Sequence, residues 1–124
     1  MEAFVVTLAP EPGLLQQFRH RLTRWLEKAG VSRQARDAIL LAAHEAAANG
    51  IEHAASVGPV TVVGRVDPDA ILIEVTSAGA WGAHLHEASD ERGRGLILMK
   101  RLMSQVDIVA EAERTTVRLR WIRG

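Results

Sequence analysis

The 124-residue chain has no cysteine, which excludes a disulfide framework, an iron–sulfur cluster and thiol catalysis. It has no excess of either charge: 15 Lys and Arg stand against 15 Asp and Glu, with five His besides. A protein that works along a nucleic-acid backbone neutralises phosphates and needs a clear basic excess, so direct nucleic-acid binding is not expected. No apolar run approaches the roughly 18–20 residues that span a bilayer, and Met1-Glu2-Ala3 lacks the basic segment of a signal peptide. The expectation is a cytoplasmic protein that does not enter a membrane. Aromatic residues are few, three Trp and two Phe, yet 48% of the chain is apolar. A chain of this length can bury about two-thirds of its surface, so a single domain over residues 1–124 is expected. It carries no internal repeat, low-complexity tract or long linker.

Glycine and proline mark element boundaries at short intervals. Ala3–Leu8 reads as a strand. Pro12 at a first helical position and Gly30 just past a helix end bracket a helix whose Leu15, Phe18, Leu22, Trp25 and Leu26 recur at helical spacing. Ser32 serves as N-cap for a second helix over 33–55, whose apolar stripe is small: Ala35, Ala38, Ile39, Ala42, Ala46 and Gly50. Such a helix can lie very close to whatever it covers. Val60–Val66 and Ile71–Thr76 read as a hairpin turned by Asp67-Pro68-Asp69-Ala70. Ser77 to Glu91 reads as a mobile loop, Gly95 to Gln105 as a third helix, and Val106–Ala112 and Thr115–Ile122 as a last strand pair joined tightly through Glu113-Arg114.

The strands alternate apolar and polar residues, as in Ile71/Ile73/Val75 against Glu74/Thr76 and Val117/Leu119/Trp121 against Arg118/Arg120. A sheet covered on both faces would show near-continuous apolar strands. The pattern therefore predicts an α/β (α+β) two-layer sandwich, a mostly antiparallel mixed sheet with three helices on one face. It also excludes the doubly wound nucleotide folds. Arg118 and Arg120 then belong to a solvated sheet face rather than a nucleic-acid surface.

Two segments can carry chemistry. At 100° per residue, Asn49 lies about 20° and Glu45 about 60° around the second helix from Ala42, in or beside the apolar stripe. An amide there needs a bonding partner in the protein, in water or in a bound ion. Either Asn49 bonds a neighbouring loop and Glu45 is a solvated carboxylate, or the two face a pocket. A zinc helix of His-Glu-x-x-His type is excluded because Ala48 stands where the second His is needed and His53 falls about 180° from His44. His84 and His86 lie in the loop without obvious further ligands. The second segment, Glu91-Arg92-Gly93-Arg94-Gly95-Leu96, combines glycines, two guanidinium groups and a helix start, so it is either a phosphate cradle or simply a loop.

Taken together the segments resemble a known superfamily. Glu45-x-x-x-Asn49-x-x-x-His53-Ala54 is similar to the N box of the GHKL (Bergerat-type, histidine-kinase-like) ATPases, and Gly93-Arg94-Gly95-Leu96-x-Leu98 with Leu102-Met103 to their glycine-rich G2 box. The closest branch is that of the anti-sigma-factor serine-protein kinases, with the elements in the family order along nearly the whole chain. The resemblance implies a Bergerat-type ATP-binding fold and an ATP-dependent serine/threonine-protein kinase that binds a sigma factor and phosphorylates an anti-sigma antagonist in transcription regulation. The family often forms homodimers. By the same resemblance Asn49 would ligate the Mg²⁺ that accompanies ATP and Glu45 would be the general base. Residues 78–92 would form the ATP lid, and Ser77, Gly79, Arg92, Gly93, Arg94, Gly95, Leu96 and Thr115 would line the nucleotide site. His53 would be a pocket-side or packing residue. Two positions depart from the pattern: Ser77 stands where the family has the adenine-recognising Asp of Asp-x-Gly, and Arg114 where it has Gly before Thr115. A non-catalytic regulatory module of the same fold is the alternative.

Overall fold

In the computed structural model of the chain, residues 1–54, 58–79, 81 and 91–123 are described, with backbone alone for 91–94. β1 (Phe4–Leu8) leads through a 3₁₀ turn at Pro12–Leu14 into α1 (Leu15–Lys28) and then α2 (Arg33–Ala54). The hairpin of β2 (Val60–Val66) and β3 (Ala70–Ala78) follows, then α3 (Glu91–Leu102) and the hairpin of β4 (Gln105–Ala110) and β5 (Arg114–Ile122). The sheet order is β1-β2-β3-β5-β4, and all four neighbouring pairs are antiparallel. The expected sandwich is therefore present, but no parallel pair occurs among the described residues, so the sheet is antiparallel rather than mixed.

α1 forms because its apolar residues share one face: Leu15, Phe18, Leu22, Trp25 and Leu26 are all buried. It stops at Gly30, whose φ of 73° suits glycine. The amides of Gly30 and Val31 there bond the carbonyls of Glu27 and Leu26, a Schellman closure that uses two otherwise unpaired carbonyls. The Ser32 hydroxyl then accepts the Ala35 amide at 3.3 Å as the expected N-cap of α2.

α2 is the central helix. It contacts β2, β3 and β5 below and α1 and α3 beside it. Ala35, Ile39, Ala42, Ala43, Ala46, Ala47 and Gly50 are buried along it, a wider arc than the expected stripe, while Ala38 is only half-buried. Small side chains suit a helix enclosed on more than one side. Under it Ile71, Ile73, Val75 and Ser77 of β3 turn toward the helices, alternating with Leu72, Glu74 and Thr76 on the uncovered face. On β2, Gly64 makes room for α1, because a Cβ there would lie 3.0 Å from the Trp25 ring.

Apart from shifts of a single residue at strand starts, the structure differs from the predicted boundaries in three places. β3 runs through Ser77 to Ala78 and pairs with β5 along its whole length, so Ser77 is a strand residue and not the first residue of a loop. The last hairpin turns at 111–114, closed by the Glu111 amide on the Arg114 carbonyl, instead of at Glu113-Arg114. α3 begins at Glu91 and ends at Leu102, shifted toward the N-terminus from the predicted Gly95–Gln105. Glycine disfavours a helix interior by about 1 kcal/mol, so Gly93 and Gly95 favour a helix start at 95 rather than at 91 in the local reading. Packing of α3 against α2 outweighs that preference. Most of the predicted loop and lid, residues 80 and 82–90 with His84 and His86, lies outside the described residues.

Candidate functional site

The layer between helices and sheet is apolar except toward one end. Of the buried polar side chains, Thr116 is on the uncovered face, bonded to Thr76, whereas Asn49, Ser77 and Thr115 are on the helix side. Ser77 and Thr115 are direct register partners on β3 and β5. Ser77 Cβ would lie 3.2 Å from a Cβ placed on Gly50, the residue after Asn49. The absent side chain at Gly50 is thus what brings α2 down onto β3 at this end.

α3 closes the site from the other side. A Cβ on Gly95 would lie 3.1 Å from Asn49 Nδ2 and 3.6 Å from Glu45 Oε2. One glycine therefore faces both α2 polar groups, which are one helical turn apart and point the same way. Asn49 is 8% exposed, and its Nδ2 has no hydrogen-bond partner among the described residues. A buried amide left so costs about 1–3 kcal/mol, a cost expected where a ligand supplies the partner. Glu45 is half-buried beside it. Its neighbour His44 accepts a hydrogen bond on Nδ1 from Arg19 Nη1 at 3.0 Å. Burial, and next the Arg19 charge, hold the His44 pKa below its ordinary 6.5, against a smaller opposing effect of Glu45.

The β3 end is held by backbone and hydroxyl bonds. Gly79 has a φ of 89°, a conformation that side chains disfavour, and its amide bonds the Glu113 carbonyl at 2.7 Å. The Thr115 hydroxyl donates to the Gly79 carbonyl at 2.8 Å. Arg114, by strand alternation, projects away from Thr115, and its guanidinium meets the Glu111 carboxylate at 3.2 Å in solvent. Arg at that position therefore leaves the helix side of β5 unobstructed.

Glu45, Asn49 and Gly95 thus form one group, and Ser77, Gly79 and Thr115 a second, joined through the contact of Gly50 with Ser77. Leu96 is buried next to Gly95. Arg92, Gly93 and Arg94 belong to the first turn of α3 rather than to a loop before it, and their side chains lie outside those described.

Sequence reasoning missed Trp81. Its indole Nε1 donates to Ser77 Oγ at 2.9 Å, and its ring stacks on His53 with centroids 4.6 Å apart and planes at 15°. An aromatic in an aperiodic stretch gives no sequence signal of such contacts; the one available hint was its spacing of four residues from Ser77.

The chain matches the family described as Histidine kinase-like ATPase domain over residues 8–121. No curated protein matches it. Among solved structures it is similar to the RsbU and RsbW domains of Rv1364c from Mycobacterium tuberculosis, with a TM-score of 0.81 and 22% identity over 98% of this chain. The chain spans 32% of that longer one. It is also similar to a chain of the SiaB-SiaC complex from Pseudomonas aeruginosa, with a TM-score of 0.69 and 15% identity, covering 94% of this chain and 88% of that one. These likenesses agree with the antiparallel sheet under three helices. With a family match that covers nearly all of its length, the chain belongs to the histidine kinase-like ATPase domains.

Proposed function

We propose that the chain is an Mg-ATP-dependent serine-protein kinase and anti-sigma factor, which binds a sigma factor and phosphorylates a serine of an anti-sigma antagonist. The observation that carries the reading is the buried Asn49 amide, without a partner at Nδ2 among the described residues and beside both Glu45 and the bare Cα of Gly95. An amide offers one carbonyl oxygen to a hard cation and two N–H donors to phosphate or water, so this group fits a magnesium–phosphate ligand. When bound, Mg²⁺ neutralises charge on the phosphates.

The chain's own groups do the rest. Glu45, a turn from Asn49, accepts the proton of the attacking serine hydroxyl. The bare Cα of Gly95 lets phosphate oxygens approach α3, and the amides and guanidinium groups of Arg92, Gly93 and Arg94 hold them at its N-terminus. Gly79, Thr115 and Ser77 shape the base end, with Leu96 as apolar wall. Glu45→Ala is expected to abolish phosphoryl transfer to the antagonist while leaving ATP affinity within about threefold, since a proton acceptor acts in the transition state and adds little to ground-state binding. Transfer at the wild-type rate in that variant removes Glu45 from the role.

A second reading, a non-catalytic regulatory module of the same fold, is favoured by one observation: the Ser77 hydroxyl, an uncharged stand-in for Asp, already accepts the Trp81 N–H. Titration with ATP, ADP and GTP in Mg²⁺ separates the two, since that module gives no heat and no thermal shift at millimolar nucleotide.

A further inference from the structure

Trp81 makes two contacts beside the candidate site. Its flat ring lies face to face on the His53 imidazole, and its one donor reaches the oxygen of Ser77, a residue only 3% exposed. His53 follows Asn49 by one turn of α2, and Ser77 packs on Gly50 of the same helix. The indole therefore bridges the helix and the strand on which the two halves of the candidate site are built. A nucleobase carrying an exocyclic amino group uses the same two means of attachment, a π-face to stack and an N–H to donate.

We infer that Trp81 is a built-in mimic of the nucleobase: it occupies the base end of the site, and a nucleotide must displace it to bond Ser77. The inference rests on the nucleotide-site reading above and adds to it the residue that sets affinity at that end. Ser77 Oγ keeps a second lone pair, so the competition is for space: the indole ring already covers the His53 face on which an incoming base would stack while its N–H reaches Ser77. The phosphate end, at Asn49 and Gly95, is not part of that competition. A site of this kind binds a triphosphate through its phosphates at full strength and a complete nucleotide at a strength reduced by the fraction of molecules in which Trp81 is in place.

The test is calorimetric titration of the wild-type chain, Trp81→Ala and Trp81→Phe, each with Mg-ATP and with inorganic tripolyphosphate plus Mg²⁺. Removal of the mimic raises ATP affinity about tenfold, as when about a tenth of the wild-type chains are open. Phe, which stacks but cannot donate to Ser77, gives an intermediate value, and tripolyphosphate binds all three chains alike. ATP binding that is unchanged or weaker in Trp81→Ala, while tripolyphosphate still binds, overturns the mimic and leaves the nucleotide site standing. If neither compound binds any of the three chains, the nucleotide-site reading fails and the mimic with it. Unchanged melting of the variants without ligand shows that they fold.

Discussion

At the scale of the residue, the proposed function makes the candidate site an exchange of folding stability for a binding group. Asn49 holds a buried donor that nothing among the described residues answers, in a helix lined mostly with alanine. Asn49→Ala is therefore expected to melt at or above the wild-type temperature without ligand, because an unanswered amide costs about 1–3 kcal/mol. The same variant is expected to lose the melting shift that Mg-ATP gives the wild type, and differential scanning fluorimetry reads both. A melting temperature lowered by many degrees would show that the amide is bonded in the free protein. Gly95 offers the complementary test. Alanine there gains up to about 1 kcal/mol of helix propensity but brings a methyl group to 3.1 Å from Asn49 Nδ2. Gly95→Ala is expected to fold with little change in stability and to bind Mg-ATP at least about tenfold more weakly by calorimetry, since the methyl group fills the space a phosphate oxygen needs.

At the scale of the element, α1 and α2 are joined near the site by the Arg19–His44 bond, and the burial of His44, with the Arg19 charge second, makes stability depend on pH. Arg19 can only donate, so His44 Nδ1 accepts only when the imidazole is neutral. The folded pKa of His44 lies below its ordinary 6.5 through burial and then the Arg19 charge, so the unfolded chain takes up the proton first as pH falls. The stability His44 contributes is full above about 6.5 and is lost on descent through the lower folded pKa. Denaturant unfolding at pH 7.5 and 5.5 is expected to show a smaller loss of stability in His44→Gln than in the wild type, and an equal loss would remove His44 as a source. Elements were also where the sequence was most legible. Periodicity located α1 and α2, Ser32 and Gly30 located their ends, and alternation assigned the faces of the strands. α3 begins earlier than predicted because Gly93 disfavours a helix locally, whereas packing of α3 on α2, a contact between segments distant in sequence, outweighs that preference. Ser77 was placed outside β3 because the β5 partner that extends the strand is distant in sequence.

At the scale of the whole molecule, the fold was readable, and local pattern singled out only one part of the candidate site, while Ser77, Gly79 and Thr115 came from the family resemblance alone. Glu45, Asn49 and the glycine-rich segment announce themselves because polar groups in an alanine stripe and clustered glycines are locally odd. The joining of Ser77 to Trp81 and His53 depends on how β3, α2 and an aperiodic segment meet, which no local pattern encodes. The balanced charge, 15 against 15, likewise has meaning only in three dimensions: Glu74 and Arg118 pair across the uncovered sheet face, and Arg114 and Arg120 of β5 reach Glu111 and Asp69 in the adjoining turns. The central claim, that the polar end of the helix–sheet layer is a magnesium–nucleotide site, is tested most directly by isothermal titration of the wild-type chain with ATP in the presence and absence of Mg²⁺. The account predicts saturable binding of one ATP per chain that weakens at least about tenfold when Mg²⁺ is removed. No heat and no shift in melting temperature at millimolar Mg-ATP would contradict it.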